Sequence, residues 1–337
     1  MKKRIVYFDL LRIIAIIAVI MIHVSAENWY VTEVDSKWLM NNFVNSIVGM
    51  WAVPTFVTIS GALLLGNSKF NIKSLFTKYL PRILFILVVW HTIYYFYEYP
   101  TLSITNIVQC YKNLILGKVY CHLWYLYLVI GLYILTPILN KLVKALNKTE
   151  YIYMLVIGFG LTAGVQTLCY ISEYNFNALI APYMVLNFSV MIFYYLLGYY
   201  LKKWDIPYNK IILGISLTLL ILMAIIQNII SAKTGIPTSY SGTSNILAVF
   251  IVASLFSVLK NNKKIKNNSA VTKMGELTLG VYLVHFIIEK TLLKFGINAN
   301  MINPILGNIL VTLIIVILSY LLCLLLSKIP IVKKTIQ

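Results

Sequence analysis

The chain has 337 residues, 60% of them hydrophobic and 11% charged, with a mean hydropathy of +0.85. Soluble globular domains are nearer a quarter charged, so this composition excludes an ordinary soluble protein. The net charge of +18 does not point to nucleic acid, because the lysines fall in short loops between apolar runs, where membrane topology accounts for them.

Those runs are continuous and do not alternate; Ile211 to Ile230 and Pro304 to Ser327 carry no charge at all. About 20 apolar residues cross the hydrocarbon core as a helix. Unpaired backbone groups are too costly in lipid, so spans are helices or closed barrels, and the lack of alternation removes the barrel. The sequence therefore predicts an all-α polytopic membrane protein with about ten transmembrane helices, forming one domain over residues 1–337. In chain order the expected spans run from about Ile5 to Ser25, Phe43 to Leu65, Leu80 to Tyr97, Leu123 to Leu139 and Tyr151 to Tyr170. They continue from Leu179 to Leu201, Ile211 to Ile230, Ser244 to Leu259, Leu277 to Leu293 and Pro304 to Ser327. The first is not expected to be a cleaved signal peptide, since it is too long and contains Arg12 and His23.

With these spans one side of the membrane keeps only Lys37, Lys112, Lys118, Lys233, Lys290 and Lys294, and Arg12 lies within a span. Every other basic residue falls on the opposite side, which the positive-inside rule assigns to the cytoplasm together with both termini. The longest loop runs from about Glu98 to His122. Cys110 and Cys121 share it, so a disulfide is open to them, although nothing else marks the loop as a disulfide scaffold. Pro54 and Pro182 are expected to kink their spans. Gly160-xxx-Gly164 has the spacing of a close helix contact, as does the small pair Ser60-Gly61.

Ionisable groups within a span are expensive and call for a partner or a function. The first span reads Tyr7-Phe8-Asp9-Leu10-Leu11-Arg12 and continues to His23-Val24-Ser25. Arg12 and His23 are separated by about 1100° of helix rotation, close to three full turns, and by about 16 Å along the axis. They therefore share a face, and Asp9 lies one turn before Arg12 on that face, placed to pair with it. A structural Asp9–Arg12 pair with Arg12 snorkelling is the plain alternative, but it does not explain the shared face with His23. Tyr282 and His285 also share a helix face, with Glu289 one turn further on and placed to hydrogen-bond His285. Trp124 and Tyr125 suit an aromatic belt, and His91 suits a structural role. Neither the four His nor the four Cys show metal-ligand spacing, so no metal site is expected.

These segments resemble the acyltransferase 3 family of integral-membrane O-acyltransferases. The match starts with Asp9, Arg12 and His23, which fit its Arg-x10-His first-span signature. It continues through Pro54-Thr-Phe-Val-Thr-Ile-Ser-Gly61, Lys78-Tyr-Leu-Pro-Arg82, His122-Leu-Trp-Tyr-Leu-Tyr127 and Gly280-Val-Tyr-Leu-Val-His285. The chain looks most like the short, membrane-only members that modify surface polysaccharides. The resemblance implies acyl-CoA, acetyl-CoA by default, as a cytoplasmic co-substrate with no bound cofactor. It implies a surface or lipid-linked glycan as acceptor, and a bacterial plasma membrane as location. It makes Arg12 and His23 the essential pair, with Ser60, Trp124, Tyr125, Tyr282 and His285 as candidates for lining the substrate site. An imidazole suits the general base that takes a hydroxyl proton. A guanidinium suits donor phosphate or a polarised carbonyl. Direct transfer in a ternary complex is expected, with an acylated His23 or Ser25 as the covalent alternative. A transporter or flippase for a lipid-linked sugar, or a scaffold without chemistry, are the competing classes. The sequence carries no marker of oligomeric state.

Overall fold

A computed structural model describes residues 5–26, 33–167, 189–238, 242–266 and 268–336. Among these residues every regular element is helical. The first helix, α1 (Val6–Ser25), and the second, α2 (Ser36–Leu64), match the first two expected spans, with α2 starting earlier than its apolar run. The reason is a cap: the Asp35 carboxylate accepts from the Trp38 backbone N–H at 2.6 Å and starts the helix at Ser36. Pro54 lies inside α2 without ending it.

The third expected span corresponds to α3 (Leu80–Glu98), entered through a π-helical turn at Leu75–Tyr79. The Glu98–His122 segment is more than a loop, because it holds α4 (Ile104–Ile115). Ile104, Ile107, Val108, Tyr111 and Ile115 are all exposed on one side of α4, while Thr105, Gln109 and Lys112 form a separate polar strip. Cys110 faces inward and Cys121 is exposed; both are free thiols, so the disulfide is not formed. The geometry explains why, since Cys110 is fully buried against α3, where its carbonyl meets His91 Nε2 at 3.0 Å.

The chain continues with α5 (Trp124–Ala145) and α6 (Lys148–Phe159), which runs into a π-helical turn at Gly160–Gly164. The end of the expected fifth span, the start of the sixth, and Pro182 lie outside the described residues. The sixth span is represented by α7 (Val190–Lys203). Then come α8 (Asn209–Thr234), α9 (Ile246–Lys260), α10 (Ser269–Lys294), α11 (Pro304–Leu326) and the short α12 (Pro330–Ile336). Among the described residues, six helices are long and apolar enough to cross a membrane: α1, α2, α5, α8, α10 and α11. α9 is apolar but shorter, and α3 is less apolar, carrying Arg82, His91 and three tyrosines.

At the centre is α1, packed against α2, α10, α11 and α9. Its contact with α2 is fastened by Asn45, whose Nδ2 donates to the Ile22 carbonyl at 3.1 Å and to Ser25 Oγ at 3.0 Å. A second seam joins α2 to α7, where the backbones touch. A Cβ on Gly61 would lie 1.8 Å from the Tyr195 carbonyl oxygen, and one on Gly198 would lie 1.9 Å from that of Thr58. Gly61 thus serves the close approach its setting suggested. Among the described residues Gly160 shows no such approach, with nothing within 4 Å of where its Cβ would be, and Gly164 would meet its own helix's Phe159 carbonyl at 3.6 Å. Buried amides clip α2 to α11: Asn308 donates to Asn41 at 2.7 Å, and Asn41 donates to Asn300 at 2.9 Å.

Candidate active site

The polar face of α1 opens on a cavity of about 280 Å³. Arg12 lines one part and His23 another, so the helical arithmetic puts both on one space. Between them the floor is apolar α1 surface at Val19. From α2 come Val53, Phe56 and Ser60; from α5, Trp124, Tyr125 and Tyr133; from α10, Thr278 and Tyr282. His122, one turn before α5, completes the wall beside His23.

Arg12 Nη1 donates to Asp9 Oδ1 at 2.9 Å. The Asp9 carboxylate is fully buried, whereas Arg12 keeps 24% of its side chain exposed toward the cavity. A glycine on the facing helix allows this. Asp9 sits against Gly275 of α10, where a Cβ would lie 2.5 Å from both its Cβ and its Oδ1. The Tyr125 phenol lines the cavity beside Ser60 and in the field of the Arg12 charge. Ser60 Oγ itself donates to the Phe56 carbonyl at 2.9 Å, which holds it on α2.

At the other part of the cavity three imidazoles cluster. The His23 ring centroid lies 5.3 Å from that of His285 and 6.5 Å from that of His122, and His122 lies 5.3 Å from His285. Phe286 packs on this group, edge-on to His23 at 5.2 Å and stacked on His122 at 5.3 Å. His285 Nδ1 stands 2.7 Å from the Tyr282 carbonyl. A carbonyl only accepts, so Nδ1 carries the proton and Nε2 the lone pair. The hydrogen-bond partner of His285 is thus the backbone carbonyl three residues back, and not Glu289 as its position one turn on had suggested. The Tyr282 hydroxyl donates to the His122 carbonyl, and the Tyr94 hydroxyl donates to the Leu283 carbonyl at 2.8 Å. Beside the cluster, Tyr120 donates to Glu98. Burial first, and then that hydrogen bond, raise its phenol well above the usual range, so it stays a donor.

Of the residues singled out in the sequence, Arg12, His23, Ser60, Trp124, Tyr125 and Tyr282 line this one cavity, and His285 touches it through His23. Ser25 does not. It is buried, its hydroxyl donates to the Met21 carbonyl at 2.7 Å, and it accepts from Asn45. Sequence reading did not assign His122 to the site, although it opens the fourth expected span and the segment His122-Leu-Trp-Tyr-Leu-Tyr127 that carries the resemblance, and it did not single out Asn45, which holds α1 from outside the cavity lining. Asn45 was visible only as an amide within an apolar run, a costly placement that itself marks a buried partner. Among the described residues, no group of three His, Cys, Asp or Glu is arranged to hold a metal.

Comparison with curated proteins and with solved structures finds no match. The family model described as an acyltransferase domain, acyltransferase 3, matches residues 5–328. That match covers α1 through the end of α11 and every residue of the cavity described above. The chain belongs to the acyltransferase 3 family.

Proposed function

We propose that this membrane acyltransferase is an O-acyltransferase that moves an acyl group, acetyl by default, from cytoplasmic acyl-CoA to a hydroxyl of a surface or lipid-linked glycan. The topology in this reading has ten spans and cytoplasmic termini, in the manner of the short, membrane-only members of the family, and the setting is a bacterial plasma membrane. The observation that carries the reading is the shared cavity of Arg12 and His23. Their helical separation of about 16 Å divides the labour between them. A base that takes a hydroxyl proton must lie within hydrogen-bond reach of it, about 3 Å. Only one of the two can therefore sit at the reacting carbon, and the imidazole is the one able to take a proton at neutral pH.

His23 accordingly accepts the acceptor's hydroxyl proton while the oxygen attacks the thioester carbonyl. The C–S bond breaks, the ester forms, and the leaving thiolate recovers the proton from His23 to give free CoA. Arg12 binds donor phosphate at the cytoplasmic end with a planar fork that suits it. Asp9 holds that fork in place. The aromatic walls at Trp124, Tyr125 and Tyr282 exclude water from the thioester and offer flat faces to the substrates. The commitment of Ser25 to Asn45 and Met21 argues for direct transfer over a Ser25 acyl-enzyme.

The test supplies membranes containing the chain with labelled acetyl-CoA and surface glycan from the organism that encodes it. Label is followed into alkali-labile ester in wild type and in His23→Ala at equal expression. Incorporation by wild type and its loss in the variant support the reading. Equal incorporation removes His23 as the base. No incorporation with either acetyl-CoA or succinyl-CoA overturns the assignment of donor.

A further inference from the structure

We infer that His122 is the acceptor subsite of the cavity, hydrogen-bonding a hydroxyl of the sugar next to the one that His23 deprotonates; this rests on the acyltransferase reading above. His122 is only 2% exposed, yet neither Nδ1 nor Nε2 has a hydrogen-bond partner among the described residues, and the residue lines the cavity. Buried polar atoms are nearly always paired, so two on one ring call for an explanation.

The ring is not loosely held. Its face stacks on Phe286 with an interplanar angle of 17°, Tyr94 meets it edge-on at 4.7 Å, and its backbone carbonyl accepts from Tyr282. Apolar faces fix its plane while its polar edge is left for something else. The same chain shows what a structural histidine looks like here: His91 is 3% exposed, outside the cavity lining, and its Nε2 is engaged by the Cys110 carbonyl at 3.0 Å.

A neutral imidazole presents one donor and one acceptor. A hydroxyl, which both donates and accepts, complements either nitrogen. The His23 ring is 6.5 Å away across the same space, so neighbouring hydroxyls of one sugar can face the two imidazoles. Tyr125 and Tyr282 supply flat walls for the sugar's C–H faces, with their ring centroids 5.7 Å apart. A hydroxyl-rich ring is thus the chemistry this corner recognises.

Two measurements test this, both with de-acylated surface oligosaccharide from the encoding organism. The first is steady-state transfer by His122→Phe, which keeps the stack on Phe286 and loses both nitrogens, and by His122→Asn, which restores a donor and an acceptor. His122→Phe is expected to raise the acceptor KM roughly tenfold, as loss of a hydrogen bond in a buried site does, and to move the donor KM much less. His122→Asn is expected to fall between it and wild type, and His91→Gln to leave the acceptor KM in place. An unchanged acceptor KM in His122→Phe, or equal shifts in both KM values, overturns the inference. The second is oligosaccharide binding without donor, which needs no turnover. Roughly tenfold weaker binding by His122→Phe supports the subsite; equal binding, or none by wild type, overturns it. Binding that depends on His122 in a protein that makes no ester would keep the subsite and sink the acyltransferase mechanism alone.

Discussion

Gly275 and Asp9 are in such close contact that a Cβ at Gly275 would stand 2.5 Å from Asp9 Oδ1, the oxygen that accepts from Arg12. A glycine on α10 therefore sets the position of a guanidinium on α1. Gly275→Ala is expected to push the carboxylate aside, costing about 1–3 kcal/mol of stability as overpacking does, and to raise the donor KM. Thermal unfolding in detergent and donor titration check the two effects together. A raised melting temperature with an unchanged donor KM would show that the contact has no bearing on Arg12.

Arg12→Ala takes the Nη1 donor away from the fully buried Asp9 carboxylate. Breaking a buried pair from one side costs about 3–5 kcal/mol, so this variant should melt well below wild type. Adding Asp9→Asn should recover most of that loss without restoring activity. Arg12→Lys keeps the charge and loses the fork; its donor KM should rise while its kcat falls less. A double variant no more stable than Arg12→Ala would contradict the pairing.

His23 is only half-buried and lies at the cavity wall. His23→Ala should fold as wild type does and lose about 10²–10⁴-fold in kcat, the usual worth of a general base. Comparing melting curves with ester formation separates the two. A melting temperature lowered in step with activity would make His23 a packing residue.

Asn45→Ala removes two hydrogen bonds from the end of α1 that carries His23. Leaving the Ser25 hydroxyl and the Ile22 carbonyl with fewer partners should cost about 1–3 kcal/mol. The same change should lower kcat more than either KM, because it shifts the base and not the binding surfaces. A change confined to KM would place Asn45 in binding.

The glycines offer a paired test. Gly61→Ala or Gly198→Ala puts a methyl into a carbonyl of the facing helix, and neither backbone can yield while both seams hold. Both variants should fail to accumulate in the membrane. Gly160→Ala meets nothing among the described residues and should be neutral or stabilising by about 0.5–1 kcal/mol. Normal accumulation of Gly61→Ala would mean that the helices part more readily than their packing implies.

The contrast between these glycines shows where the sequence is informative. Helix spacing is intrinsic to one segment, so the alignment of Asp9, Arg12 and His23 could be read from numbering alone. Spacing within Gly160-xxx-Gly164 says nothing of what lies opposite, and among the described residues no other helix comes within 4 Å of a Cβ at either position. Ser60, Trp124, Tyr125 and Tyr282 came from resemblance, and the structure brings them from three helices to one cavity. The pairing of His122 with His285 and Phe286 was out of reach, because it joins two segments far apart in the chain. Glu289 misled for a local reason: a histidine near a helix turn finds the carbonyl three residues earlier before it finds a side chain one turn on. The amphipathic character of α4 was present in the sequence, and it was passed over because the segment lay between spans.

The seams also set where the molecule is stiff. Around α2, the helices α1 and α7 are held through backbone contacts and buried amides, and close-packed interfaces of that kind do not deform gradually. Arg12 and His23 both ride on α1, so their separation belongs to one helix held in that frame. The α5 wall carries Trp124, Tyr125 and Tyr133, and its far end is tied by Asn140, which accepts from the Gly66 N–H at 2.7 Å and donates to the Phe70 carbonyl at 3.0 Å. The distance between the two polar groups is thereby a fixed ruler, and whatever enters the chamber is measured against it.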